Sequence, residues 1–169
     1  MNLYFTRIRT LLLTASAGMA LSAAGVAQTT STTVNSGPGS YSRDTTFTGV
    51  NGRTATYQNN ATWGNGTSTD QKTWTGPNGK TTTADTTRTF SPGSSTRDTT
   101  VTGPNGRTAS YQNDRTWGNG TSTDTRTYTG RNGETRTDTR TRSGGEVTNT
   151  YTGRNGRTRT SSHPARWRR

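Results

Sequence analysis

The chain has 169 residues and a formal net charge of +12, and from Gln28 onward it contains no Leu, Ile, Met or Cys. In those last 142 residues the apolar set is 5 Ala, 4 Val, 2 Phe, 4 Trp and 5 Tyr, roughly 14 per cent where globular domains carry roughly 45–50 per cent. A conventional two-layer core is excluded, and with it most enzyme folds; the missing cysteines also exclude a disulfide scaffold.

In chain order, residues 1–27 read as a secretory signal peptide. Arg7 and Arg9 supply the positive start, Thr10 to Ala24 the apolar middle, and Gly25-Val26-Ala27 a small-residue cleavage site. The stretch is too short and too weakly apolar to read as a spanning helix, and its presence implies a secreted, periplasmic or cell-surface protein. Residues 28–39 read as a flexible linker. A repeat region follows over 40–158, and residues 159–169 form a basic, disordered tail. The charge is uneven: residues 28–125 carry 8 cations and 6 acids, whereas 126–169 carry 11 cations and 3 acids. Of the 21 cations 19 are Arg, a residue that favours planar recognition of phosphate, sulfate or carboxylate.

The repeat decides the architecture. One turn phrase, Thr48-Gly49-Val50-Asn51-Gly52-Arg53-Thr54, returns with its Gly at 76, 103, 130 and 153, a spacing of 27, 27, 27 and 23. Trp63-Gly64-Asn65-Gly66, Trp117-Gly118-Asn119-Gly120, Ser91-Pro92-Gly93-Ser94 and Ser36-Gly37-Pro38-Gly39 alternate with it, so the full unit is 54 residues. Gly-Pro-Asn-Gly suits a tight reversal, with Pro presetting φ and Gly taking the positive dihedral. The Thr-dense segments between turns have strand composition. The spacing predicts an all-β antiparallel meander of about ten strands, at 40–48, 53–63, 67–75, 80–90, 94–102, 107–117, 121–129, 134–142, 146–152 and 157–161, in a curled sheet or a solenoid-like form. Composition alone also suits a disordered chain, which is the competing expectation.

Alternation sorts two faces. One is nearly all hydroxyl, best seen in Thr121, Thr123, Thr125, Thr127, Thr129, Thr135 and Thr137. The other collects Tyr41, Phe47, Tyr57, Trp63, Trp74, Phe90, Tyr111, Trp117 and Tyr128, with Arg and Asp between them. Segment 146–152 departs from this phase, its Val147 and Tyr151 falling on odd positions. If the sheet curled on itself, the aromatic groups would form one thin cluster.

Catalytic, cofactor and metal chemistry find no candidates. Gly76-Pro77-Asn78-Gly79-Lys80-Thr81 lacks the first glycine of a phosphate loop, since position 74 is Trp. Gly64 to Asp70 and Gly118 to Asp124 offer one carboxylate per turn, too few for calcium. His163, the sole histidine, has no nucleophile or orienting group near it in sequence. Neither face has the continuous apolar band of a membrane barrel.

Three functions remain. The first is a non-enzymatic structural or adhesive component of a bacterial envelope or extracellular matrix, its partner being itself through strand edges and Tyr/Trp contacts. The second is a binder of anionic polymers (anionic polysaccharide, lipopolysaccharide or extracellular DNA) through Arg154, Arg157, Arg159, Arg166, Trp167, Arg168 and Arg169. The third rests on the Thr-x-Thr elements, which resemble the arrays of insect-type antifreeze β-solenoids and imply ice binding. The phrase Tyr151 to Thr158 faintly resembles the YD repeats of bacterial surface-shell and toxin-delivery proteins, without their Tyr-Asp pair.

Overall fold

A computed structural model describes residues 29–165, which form one antiparallel sheet of eleven strands in sequence order. The strands are β1 (Thr29–Gly37), β2 (Ser40–Thr48), β3 (Thr54–Gly64), β4 (Thr67–Thr75), β5 (Thr81–Ser91), β6 (Ser94–Thr102), β7 (Thr108–Gly118), β8 (Thr121–Thr129), β9 (Thr135–Ser143), β10 (Glu146–Thr152) and β11 (Thr158–Pro164). All ten expected strands are present. Four of them, β3, β5, β7 and β9, start and end one residue later than the turn spacing implied.

Two segments are corrected. The expected linker 28–39 carries β1, which pairs with β2 from Thr29↔Thr48 to Gly37↔Ser40. Pro38-Gly39 needs a strand on each side to act as a hairpin turn, and the β-branched run Thr29, Thr30, Thr32, Thr33 and Val34 supplies the first of them. Residues 159–164, expected in the tail, belong to β11, paired with β10 from Thr152↔Thr158 to Glu146↔Pro164. The signal-peptide reading of 1–27 and the last residues, Arg166, Trp167, Arg168 and Arg169, fall outside the described residues.

Two turn types pin the register. At one end of the sheet Gly52, Gly79, Gly106, Gly133 and Gly156 take positive φ, and each donates its N–H to the glycine carbonyl three residues back. Asn51, Asn78 and Asn155 Oδ1 accept from the backbone N–H two residues on, at 3.2 Å each. This is a reversal closed by a left-handed glycine. At the other end the loops have two residues, and Asn65 (φ 48) with Gly66 (φ 74) and Asn119 (φ 49) with Gly120 (φ 73) take the mirror-image turn that suits strand twist. Gly66 is needed twice over, since a Cβ there would stand 2.6 Å from the Phe90 carbonyl oxygen. The tip packs against β5 so closely that Phe90 donates its N–H to the Gly66 carbonyl at 2.6 Å.

The sheet neither closes nor strongly curls, and contacts between strands run only between sequence neighbours. The aromatic cluster expected from curling therefore does not form. Arg and Asp side chains stand between the rings, and closure would bury them without water. Among the described residues Val147, 2 % exposed, is the one buried apolar side chain. It sits between Arg142 on β9 and His163 on β11 in cross-strand register. β10 keeps the common phase after all: the two-residue loop Gly144-Gly145 places Glu146 opposite Ser143, which returns Val147 and Tyr151 to the aromatic face.

Candidate functional site

Directly paired residues in a sheet project to the same side, so the register assigns every strand residue to one of two faces. The hydroxyl face carries all seven sequence-predicted threonines. Thr121, Thr123, Thr125, Thr127 and Thr129 on β8 stand opposite Gly118, Thr116, Asp114, Gln112 and Ser110 on β7. Thr123, Thr125, Thr127 and Thr129 meet Thr141, Thr139, Thr137 and Thr135 on β9. The rows continue through Thr148, Thr150 and Thr152 on β10 to Ser162, Thr160 and Thr158 on β11.

These hydroxyls hold one another. Thr62–Thr69 (2.7 Å), Thr89–Thr96 (2.6 Å), Thr148–Ser162 (2.8 Å), Thr150–Thr160 (3.2 Å) and Thr152–Thr158 (2.9 Å) are hydrogen-bonded cross-strand pairs. Cross-strand hydroxyl pairs of this kind stabilise a sheet by a few tenths to about 1 kcal/mol each. Where Val147 is the one buried apolar side chain among the described residues, they are a principal support.

The opposite face holds every apolar side chain of the strands, from Val34 on β1 to Tyr151 on β10. Phe47, Trp63, Trp74, Phe90, Trp117 and Tyr151 are each exposed. The 54-residue repeat is visible in three dimensions here. Arg43 lies over the Tyr57 ring at 6.0 Å and Tyr57 meets Trp74 at 5.5 Å. One repeat later Arg97 lies over Tyr111 at 5.7 Å and Tyr111 meets Tyr128 at 4.8 Å. Arg136 completes the second set, 4.3 Å from the Tyr128 ring centre. Such contacts contribute about 0.5–1 kcal/mol at exposed sites.

The same register segregates charge. All ten strand cations, Arg43, Lys72, Arg88, Arg97, Arg115, Arg126, Arg136, Arg140, Arg142 and Arg159, project from the aromatic face, together with Asp70, Asp124 and Asp138. The hydroxyl face has no cation and five acids, Asp44, Asp85, Asp98, Asp114 and Glu146. Ten less three leaves +7 on one side against −5 on the other.

Asp70 is paired with Lys72 at 2.7 Å and Asp124 with Arg126 at 3.1 Å, so the two carboxylates weighed for calcium are held in strands beside cations. The hydrogen bond and charge of Asp124 keep Arg126 protonated still more firmly than usual. Partial burial, then the neighbouring Tyr128, raise the Tyr111 pKa above its ordinary value. Gly76 to Lys80 is a hairpin turn, with Gly79 N–H donating to the Gly76 carbonyl at 2.9 Å. Among the described residues there is no cluster of three His, Cys, Asp or Glu arranged to hold a metal.

Three members of the predicted polyanion set come together. Arg154 and Arg157 in the last turn and Arg159 on β11 line a shallow concavity with Arg136 and Tyr151. Arg154 bridges to Glu134 of the neighbouring turn at 3.5 Å. Arg166, Trp167, Arg168 and Arg169 lie outside the described residues. His163 and Val147 line a second concavity with Arg140 and Arg142.

The strand arginines of the aromatic face are candidate residues that sequence reasoning did not single out. Their signal was the alternation itself: in β9, Thr135, Thr137, Thr139 and Thr141 alternate with Arg136, Asp138, Arg140 and Arg142. Comparison of the chain with protein-family models, with curated proteins and with solved structures returns no match.

Proposed function

We propose that the protein is an exported, non-enzymatic building block of a bacterial envelope or extracellular matrix that works by associating with further copies of itself. The observation that carries this reading is the uncovered aromatic face: the strands expose Trp63, Phe90 and Trp117 at 51 %, 59 % and 44 %, where domains normally bury such a face against a second layer. Among the described residues β1 is an edge strand of the sheet, and this adds to it. Its sequence, TTSTTVNSG, has no charge and no proline, the usual devices that keep an edge from pairing with another chain.

Sedimentation of the full chain over a wide concentration range tests the reading. Growth of large species with concentration, unaffected by removal of residues 166–169, is the expected result; a monomer throughout would overturn it.

One further observation favours a second reading, binding of anionic polymers. Arg136, Arg154, Arg157 and Arg159 converge around Tyr151, and the strand arginines extend the positive field across the aromatic face. On this reading binding to a linear polyanion weakens steeply with salt and falls when Arg136 and Arg157 are changed to Gln. Retention of binding in that variant would sink it.

A further inference from the structure

We infer that the partner covering the aromatic face is the hydroxyl face of a second copy, so that sheets stack front to back. This rests on the reading above and specifies its contact. Three face pairings are open to identical sheets. Hydroxyl face on hydroxyl face leaves the rings in water and sets −5 against −5. Aromatic face on aromatic face covers the rings but sets +7 against +7, with Arg88, Arg97, Arg140 and Arg142 brought together as they leave water. Only aromatic on hydroxyl covers the rings and opposes +7 to −5.

The partner surface has suitable chemistry. The hydroxyl groups of Thr62, Thr89, Thr150 and Thr152 are bonded across the strands, so the surface facing an incoming copy is a lattice of methyl groups and mutually satisfied hydroxyls. Asp44, Asp85 and Asp98 stand exposed among them, within reach of arginines that would meet them. The area is sufficient. Eleven strands about 4.8 Å apart, each about 30 Å long, present roughly 1,400 Å² per face, well above the roughly 800 Å² per partner of a stable interface.

Because the two contacting surfaces differ, the contact is heterologous, and without a closing rotation it propagates. An eleven-stranded sheet that neither closes nor strongly curls leaves both broad faces open to such stacking. The wide sheet and the charge segregation are thus two sides of one arrangement.

Complementation between two full-length variants tests the stacking mode. The first neutralises the hydroxyl face with Asp44, Asp85, Asp98 and Asp114→Asn and Glu146→Gln; the second neutralises the aromatic face with Arg43, Arg88, Arg97, Arg115, Arg140, Arg142 and Arg159→Gln, which leaves Lys72, Arg126 and Arg136 against Asp70, Asp124 and Asp138. Far-ultraviolet circular dichroism of each must match the unsubstituted chain, and a variant that loses the β-signal is replaced by two variants that each carry half of its substitutions. At low salt the unsubstituted chain grows into large species. Neither variant grows alone, and an equal mixture forms dimers that stop there, since the intact aromatic face of the first meets the intact hydroxyl face of the second. Dimers of either variant alone would show aromatic faces pairing with each other, and growth of both would show edge pairing alone. Either outcome overturns front-to-back stacking while the self-association reading stands; a monomeric unsubstituted chain overturns both.

Discussion

Replacing Gly66 with Ala separates two roles that the turn glycines combine. Gly52 and Gly66 have nearly the same backbone, φ 71 and φ 74, and an alanine in that left-handed region costs about 1–2 kcal/mol at either position. Their surroundings differ. A Cβ at Gly52 meets nothing within 4 Å, whereas at Gly66 it meets the Phe90 carbonyl oxygen at 2.6 Å. The Cβ is fixed by the backbone it hangs from and the oxygen it meets is itself backbone, so no side chain can swing away. The hairpin tip must lift from β5, which breaks the bond from Phe90 N–H to the Gly66 carbonyl, worth about 1 kcal/mol net. Gly66→Ala should therefore destabilise by about 2–3 kcal/mol and Gly52→Ala by about 1–2 kcal/mol. Urea unfolding followed by circular dichroism, at one dilute concentration for both, reads the difference. Equal midpoints for the two variants would refute the close packing of this tip against β5.

Val147→Ala removes two methyl groups from the buried apolar site of the sheet and should cost about 1.5 kcal/mol. Val34→Ala on the exposed edge strand, 40 % accessible, should change the same unfolding midpoint by less than about 0.5 kcal/mol. Raising the pH should weaken the fold through Tyr111, whose folded pKa is raised by burial and Tyr128. Its contribution is complete below the unfolded value of about 10 and is lost as pH climbs through the higher folded value. The Tyr111→Phe variant should show a smaller loss across that window in a pH series of unfolding curves, and an identical loss would count against the assignment. Asn119→Val puts a β-branched residue at φ 49 and should destabilise by about 1–2 kcal/mol, read as a lower thermal midpoint.

Much of the fold was legible because it is local. Gly-Pro-Asn-Gly and Trp-Gly-Asn-Gly mark reversals without tertiary context, and a meander needs only to know where each strand turns. The assignment of Thr127, Thr129, Thr135 and Thr137 to one side and Tyr57, Trp74 and Tyr111 to the other followed from alternation, and the register bears it out. β1 was missed because Thr29 to Gly37 has no aromatic residue and no repeat partner upstream, although its turn had been identified. Phase was misread at β10 because β9 and β10 are shorter than their counterparts, which breaks the 27-residue spacing; Gly144-Gly145 has the same two-residue length as Asn65-Gly66 and Asn119-Gly120, so odd positions face the aromatic side in β10 as they do in β2 and β6. The sites were less legible. Sequence position clusters Arg154, Arg157 and Arg159, but Arg136 joins them only through the pairing of β9 with β10 and of β10 with β11. Charge segregation is likewise a property of register. Asp124 and Arg126 share a face because they are two residues apart, and Asp114 on the neighbouring strand faces the other way.

The central claim is that the aromatic face of one sheet is covered by another copy, and X-ray diffraction from concentrated, aligned full-length protein tests it most directly. Stacked sheets predict a spacing of about 10 Å between layers perpendicular to the strand spacing of about 4.7–4.8 Å. A pattern with the strand spacing and no layer spacing, from protein that sediments as a monomer at every concentration, would contradict it.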